Sequence, residues 1–111
     1  EVCMQVNLNQ ENSKSGIALD IDALIHLAEH ILNLPHLKLR GLMAIPEKAR
    51  DEHTAYENFL QLKHALDSLS QSLGVSLTTL SMGMTDDFIP AIRAGSTWIR
   101  IGRGIFNDVQ R

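Results

Sequence analysis

Short apolar runs alternate along the chain with longer segments in which apolar residues recur every three or four positions. The short runs are rich in β-branched and aliphatic residues and predict four strands, at 2–6, 37–45, 77–81 and 97–101. The longer segments between them predict three amphipathic helices. Strands that alternate with helices in this order are typical of a parallel sheet built with right-handed crossovers.

Candidate caps and stops lie at the ends of these helices. Asp20 or Asp22 can cap the first helix, and Pro35 stops it. Its apolar stripe is formed by Ile21, Leu24, Ile25, Ala28, Ile31 and Leu32. The second helix runs from about residue 51 to residue 73, and Gly74 is a good C-terminal stop. Its stripe is formed by Ala55, Phe59, Leu62, Leu66, Leu69 and Leu73.

Four strands and three helices leave two architectures open: half of a TIM (β/α)8 barrel, or a small open doubly wound sheet. With 111 residues the chain is one domain at most, whereas a closed barrel needs about 250 residues. The chain begins at Glu1 and enters an apolar run at once. We therefore expect it to be cut from a longer protein.

The composition of the chain argues against several classes of protein. The chain is 44% hydrophobic, which favours a packed core over disorder. A net charge of −3 argues against a nucleic-acid or anionic-membrane surface. There is no run of about 18 apolar residues, as a membrane span requires. The single cysteine, Cys3, lies in an apolar run and is expected to be buried, in a reducing and therefore cytoplasmic setting.

Two segments at predicted strand ends could bind an anion. The expected loop at 82–85, with the preceding Ser81, offers two hydroxyls and a glycine before a third helix that Asp86 or Asp87 can cap. The segment 102–104 offers backbone N–H groups and the cation of Arg103, an arrangement suited to phosphate. Closed barrels often bind phosphate after their seventh and eighth strands. The alternative, that both segments are ordinary tight turns, stays open at this point.

Other polar residues carry weaker signals. Arg100 lies inside the last predicted strand, so its charge must meet a ligand or a partner such as Asp86 or Asp87. Lys14 sits in a polar loop, where a solvated amine is expected. The five histidines fall on or beside helices, and His26 and His30 lack a third ligand that would complete a metal site. No metal and no catalytic residue is predicted.

Several stretches in the same order resemble the pyridoxal phosphate homeostasis protein family (YggS/PROSC type), whose fold is similar to the barrel domain of alanine racemase. The first two stretches are Gln5-Val6-Asn7 with Ser13-Lys14-Ser15-Gly16, and Leu39-Arg40-Gly41-Leu42-Met43-Ala44-Ile45-Pro46. The others are Leu80-Ser81-Met82-Gly83-Met84-Thr85-Asp86-Asp87, Ala91-Ile92, Ala94-Gly95-Ser96-Thr97, Arg100-Ile101-Gly102 and Ile105-Phe106. The resemblance implies that residues 1–111 form the C-terminal half of a pyridoxal 5′-phosphate (PLP) binding barrel domain.

The resemblance also assigns roles. The segment 81–85 and the backbone of Gly102 and Arg103 would hold the PLP phosphate, so the implied cofactor-binding residues are Ser81, Gly83, Met84, Thr85, Arg100, Gly102 and Arg103. Arg100 would donate to the pyridine nitrogen and leave it unprotonated, because arginine does not give up its proton. The lysine that forms the family's Schiff base belongs to the other half, and Lys14 matches a later loop. Arg103 and Asn107 depart from the family pattern, which often has Thr and Gly there.

These features imply a fragment of a protein of intracellular PLP homeostasis without robust catalysis. One alternative is a fragment of a PLP-dependent alanine racemase-like enzyme, which would need a second acid/base residue such as a tyrosine. Another is a phosphate-binding barrel module that does not use PLP. Alone, the piece should bind PLP weakly at best. Because a half-barrel exposes sheet edges, we expect it to pair with itself or with its missing N-terminal half, but not with nucleic acid or a membrane.

Overall fold

The computed structural model describes residues 1–8, 17–46 and 49–101. Five strands and three helices occur in these ranges. In chain order they are β1 (Val2–Asn7), β2 (Ile17–Ala18), α1 (Ile21–Leu32), β3 (Leu39–Met43), α2 (Glu52–Leu73), β4 (Thr79–Met84), α3 (Phe88–Arg93) and β5 (Trp98–Arg100).

The strands form one parallel sheet in the order β2-β1-β3-β4-β5. The predicted strands correspond to β1, β3, β4 and β5, joined by α1, α2 and α3, so the predicted parallel α/β fold is confirmed. The two-residue strand β2 was not predicted, because so short a segment carries no periodic signal. It pairs with the end of β1, where Val6 lies opposite Ile17.

All three helices pack on one face of the sheet, as right-handed crossovers between neighbouring strands require. The core between the two layers contains Leu42 and Leu80 from the sheet and Leu24, Phe59 and Leu62 from the helices, all fully buried. The stripe predicted on α2 is buried except for its last residue. On α1 only two stripe residues, Leu24 and Ala28, are buried, and those at its ends are exposed.

The cap predicted for α1 and the stop predicted for α2 are confirmed, and α2 also has a cap at Asp51 that was not predicted. The Asp20 carboxylate accepts from the N–H of Asp22 at 3.1 Å, and the Asp51 carboxylate accepts from the N–H of Thr54 at 2.7 Å. Gly74 ends α2 with a φ angle of 67°. The prediction of a side-chain cap for α3 was wrong, because Asp87 at its N-cap position makes no capping hydrogen bond.

Two further expectations need correction. The segment 82–84, expected to be loop, continues β4 up to Met84, because Met82 and Gly83 are buried against the helix layer. Cys3 is half-buried rather than buried, and desolvation raises the pKa of its thiol. In the described part of the chain, no helix combines the length and hydrophobicity needed to cross a bilayer.

Candidate functional site

The candidate site lies where β4 and β5 run side by side. Ser81 is opposite Trp98 and Met84 is opposite Arg100, so β4 advances three residues where β5 advances two. The extra residue is a β-bulge, a feature that redirects side chains and is frequent beside binding sites. Most residues predicted to bind a ligand therefore lie at or beside the bulge between these two paired strands.

Gly83 lies at the centre of this bulge with a φ angle of 102°. A Cβ atom added there would lie 2.7 Å from the Cβ of Ala91 and 3.2 Å from Cγ2 of Ile99. The sequence suggested that this glycine lets an anion approach the backbone, but the structure gives a second reason, which is close packing against α3. It follows that Ile99 points towards the helix layer.

Arg100 points to the opposite face of the sheet, because side chains alternate along a strand. Its Nε and Nη2 atoms are buried and have no hydrogen-bond partner among the described residues. Four ion pairs are found in that part of the chain, and none includes Arg100. The structural ion pair with Asp86 or Asp87 that the sequence left open is therefore absent from the described residues. Two buried donors without an acceptor are costly, and they fit a group that accepts hydrogen bonds.

The face that carries Arg100 also bears a depression of about 390 Å³. Its lining includes Ser81 and Trp98, together with Gln5, Met43 and Cys3 from the neighbouring strands. Ser81 is half-buried there, and the Trp98 side chain is 64% exposed. In the described residues, this face of the sheet has no helix packed on it.

An ion pair also contributes to the lining of the depression. The Arg40 guanidinium donates to the Glu1 carboxylate at 2.7 Å. This hydrogen bond and the positive charge lower the pKa of the Glu1 carboxyl. Because Arg40 already has a carboxylate partner, Arg100 is the better candidate to receive an acceptor from outside the chain.

The remaining predicted residues have different surroundings. The Met84 side chain is exposed, but its N–H donates to the Asp87 carboxylate at 2.7 Å and is not free for an anion. Thr85 follows directly and is half-buried. Gly102, Arg103 and Lys14 lie outside the described residues.

A second cleft, of about 320 Å³, opens between Met84 and the start of α2. Four carboxylates contribute to its lining, those of Asp51, Glu52, Asp86 and Asp87. Such a cleft repels phosphate. An anion at this end of the sheet is therefore better placed on the side of β4 that faces away from the four carboxylates.

Sequence reasoning missed the role of the two hydroxyl residues that precede β5. The Ser96 hydroxyl donates to the carbonyl oxygen of Met82 at 2.6 Å. The Thr97 hydroxyl accepts from the N–H of Leu80 at 2.8 Å, and its own N–H donates to the Leu80 carbonyl at 3.0 Å. A Ser-Thr pair directly before a predicted strand was the available signal, but their partners are set only by the fold.

Groups considered for other chemistry lie elsewhere. His26 and His30 are both on the exposed surface of α1. Tyr56 is in α2, where the Arg93 guanidinium lies 5.3 Å from the centre of its ring. Neither the histidine pair nor this tyrosine lies on β4 or β5.

Parallel strands that alternate with helices, all packed on one face of the sheet, are the architecture of part of a (β/α)8 barrel. The chain belongs to the family described as "Alanine racemase, N-terminal domain", whose sequence model matches residues 1–109.

The relatives of this chain agree with that assignment. It is 48% identical over 106 residues to a pyridoxal phosphate homeostasis protein of Pasteurella multocida, and 47% identical over 105 residues to one of Pseudomonas aeruginosa. These alignments cover 95% of this chain but only 45% and 43% of the two relatives. The chain thus spans less than half the length of either one.

Solved structures give the same picture. The chain is similar to PipY of Synechococcus elongatus, a member of the COG0325 family, with a TM-score of 0.82 and 32% identity for the form without PLP. For the form with PLP bound the TM-score is 0.77 and the identity 30%. The matches cover 94% of this chain and 48% and 47% of PipY.

Proposed function

We propose that this chain supplies the phosphate- and pyridine-binding half of the PLP site in a pyridoxal phosphate homeostasis protein, and that it corresponds to the C-terminal half of the barrel. Relatives named for PLP homeostasis and the PLP-bound form of PipY support this proposal. The lysine that attaches the cofactor would come from the other half.

The observation that carries the proposal is the pair of unpartnered donors on Arg100. Buried Nε and Nη2 atoms suit an acceptor on a flat ligand, because the guanidinium is planar and permanently charged. The pyridine nitrogen of PLP is such an acceptor. Arg100 would keep that nitrogen unprotonated, because it donates a hydrogen bond to the nitrogen but does not give up its proton.

This choice of partner limits the chemistry. Bound PLP supplies an electron sink for reactions of amino acids, and the sink is weaker when the ring nitrogen carries no proton. Arg100 would hold the ring in place while restraining its reactivity. This suits a protein that holds and delivers the cofactor without robust catalysis.

The phosphate end of the site is proposed from Ser81, Gly83, Met84 and Thr85 together with Gly102 and Arg103. Ser81 lines the depression on the same face as Arg100, and Arg103 would add a positive charge. Since the Met84 N–H already donates to Asp87, the Ser81 hydroxyl and the 102–103 segment would be the main donors to the phosphate.

A racemase-like function receives less support. Racemisation needs two opposed acid/base groups, and Tyr56 is the only tyrosine of the chain. Its place in α2, beside Arg93, keeps it in the helix layer. A phosphate-binding module that does not use PLP would leave the unpartnered donors of Arg100 unexplained.

The test is a titration of the full-length protein that contains this chain, beside the isolated chain, with PLP, with inorganic phosphate, and with pyridoxal that lacks the phosphate. Arg100→Leu should weaken PLP binding by about tenfold or more, because a charge-assisted hydrogen bond is lost. It should leave the affinity for inorganic phosphate nearly unchanged. Arg50→Leu is the matched control, because Arg50 is exposed and has only a 3.9 Å contact with Asp51.

Three outcomes would count against the proposal. If Arg100→Leu does not weaken PLP binding, the proposed hydrogen bond from Arg100 to the pyridine nitrogen is wrong. Equal affinity for PLP and inorganic phosphate would favour a module for phosphate esters. Borohydride trapping of PLP on Lys14 would contradict the expectation that this half lacks the attachment lysine.

A further inference from the structure

We propose that Ser96 and Asp87 are positioning residues that act together: they hold the β4 bulge from the two ends of α3 and thereby set the direction of Arg100. This inference rests on the proposed function of Arg100 and deepens it. Neither residue would touch the ligand, and each would act through the backbone of β4.

The bulge leaves two backbone groups in need of partners. The carbonyl of Met82 and the N–H of Met84 flank Gly83, where the extra residue interrupts the regular pairing with β5. The Met82 carbonyl lies in a partly buried contact, where a backbone group without a hydrogen bond is unfavourable, whereas the contact of the Met84 N–H is exposed. A donor for the carbonyl and an acceptor for the N–H would therefore stabilise the bulge at this position.

Residues on either side of α3 supply both. The Ser96 hydroxyl donates to the Met82 carbonyl at 2.6 Å, the shortest of its three contacts with carbonyl oxygens, since those to Leu80 and Trp98 are 3.2 Å long. The Asp87 carboxylate accepts from the Met84 N–H at 2.7 Å. A hydroxyl has one hydrogen to donate, so the Met82 carbonyl is the favoured acceptor.

Both residues are themselves fixed to α3. The N–H of Ser96 donates to the Ala91 carbonyl at 2.9 Å, and the carbonyl of Asp87 accepts from the N–H of Ala91 at 3.3 Å. Ala91 is also the residue that a Cβ on Gly83 would strike. The short helix, its two flanking residues and the bulge are thus one connected unit.

The consequence for Arg100 follows from register. Arg100 is opposite Met84, immediately after the bulge. With the extra residue in place, Ile99 packs towards α3, and Arg100 points to the open face that carries Ser81. A bulge that slipped by one residue would change which strand positions are opposite one another, so the relation between Arg100 and Ser81 depends on these two hydrogen bonds.

Thr97 provides a matched comparison for Ser96. Its hydroxyl also bonds to the β4 backbone, at the N–H of Leu80, but that bond lies before the bulge. Thr97→Val removes it with little change of shape. We expect Thr97→Val to lower the stability of the chain but to leave the direction of the Arg100 side chain unchanged. Ser96→Ala should change both.

Asp87 offers a second, independent comparison. Asp87→Asn keeps an oxygen acceptor for the Met84 N–H and removes the charge, whereas Asp87→Ala removes the acceptor. If Asp87 acts by holding the bulge, Asn should preserve function and Ala should not. Asp67→Ala is the control for removing a surface carboxylate, because the partner of Asp67 among the described residues is Lys63, on the outside of α2.

The experiment combines PLP titration with the ¹⁵N–¹H resonance of the Arg100 Nε–H group in the labelled chain. Ser96→Ala and Asp87→Ala should each weaken PLP binding about tenfold and shift or broaden that resonance before PLP is added. Asp87→Asn, Thr97→Val and Asp67→Ala should stay within about twofold of the unsubstituted chain and keep the resonance in place.

The outcomes separate this inference from the proposed function. If Ser96→Ala and Asp87→Ala leave both readouts unchanged while Arg100→Leu loses PLP, the positioning role is wrong and the proposed function stands. If Thr97→Val weakens PLP as much as Ser96→Ala, the effect is general loosening and the inference fails. If the full-length protein that contains this chain binds no PLP, the proposed function fails, and the Nε–H resonance alone decides the positioning. If Ser96→Ala does not fold, the comparison of Asp87→Asn with Asp87→Ala decides whether the positioning role is correct.

Discussion

Gly83 and Gly74 both have positive φ angles, but only Gly83 lies against packed side chains. Gly74 ends α2 in open space, with nothing within 4 Å of an added Cβ. The two positions therefore separate backbone strain from crowding. At Gly83 both effects act, and the residue that would be struck, Ala91, belongs to the helix that holds the bulge.

Gly83→Ala is expected to lower the free energy of unfolding by roughly 3 kcal/mol, from left-handed strain together with overpacking. Gly74→Ala should cost only about 1 kcal/mol, from strain alone. Urea denaturation of both variants measures the difference. Equal losses at the two positions would contradict the packing role assigned to Gly83.

Under the proposed function, Arg100 contributes to binding rather than to stability. Its two buried donors have no partner among the described residues, so the chain gains little stability from them. Residues of this kind are commonly retained at a cost to stability.

Arg100→Met should therefore unfold at the same temperature as the unsubstituted chain or at a higher one, in the absence of ligand. Thermal denaturation followed by circular dichroism gives the answer, with Arg40→Met as the comparison, since Arg40 has a carboxylate partner. A marked fall in Tm for Arg100→Met alone would mean that the guanidinium has a structural partner.

At the scale of elements, α2 shows how a cap couples stability to pH. The hydrogen bond that Asp51 accepts from the Thr54 N–H lowers the pKa of the Asp51 carboxyl. A carboxyl with a lower pKa in the folded state contributes stability above its unfolded pKa and loses that contribution as pH falls through the folded pKa. The cap is thus effective at neutral pH and weakens in acid.

Asp51→Ala should lower Tm by a few degrees at pH 7, and the difference from the unsubstituted chain should shrink as the pH falls below the usual range of an aspartate. Asp51→Asn keeps the acceptor and should lose much of this pH dependence. Thermal melts across the acidic range measure both. A difference between Asp51→Ala and the unsubstituted chain that does not change with pH would contradict the assigned cause.

The sequence predicts those features of the structure that depend on residues close together in the chain. It does not predict features that depend on pairing with another strand. The stripe of α2, the cap at Asp20 and the stop at Gly74 are local features, and they were predicted. The strand β2 and the bulge at Gly83 are not local, because both are defined by pairing with another strand. The partners of Ser96 and Asp87 depend on that bulge, so sequence spacing alone could not identify them.

At the scale of the whole molecule, one face of the sheet carries helices, and the described residues place no helix on the other. Apolar side chains are also exposed on the outer surface of α3, at Ile89 and Ile92, each about half exposed. In a closed barrel, neighbouring strands and helices would cover both the sheet edges and such a helix surface. The relatives, more than twice as long as this chain, have enough residues to do so.

We therefore expect concentration-dependent self-association of the isolated chain, through exposed apolar residues such as Trp98. Light scattering coupled to size exclusion should show species larger than a monomer, and Trp98→Lys should reduce their fraction. The exposed Gln61→Lys, on α2, is the control for added charge. A monodisperse, stably folded monomer at all concentrations would contradict the expectation that this half needs a partner.

The central claim is that Arg100 donates to the pyridine nitrogen of PLP, and it is tested most directly by ¹⁵N NMR of PLP labelled at that nitrogen. With the chain in excess, the chemical shift should be that of an unprotonated, hydrogen-bonded pyridine. It should move towards the value for free PLP in Arg100→Leu and stay in place in Arg50→Leu. A protonated pyridine shift, or one that Arg100→Leu does not alter, would contradict the account.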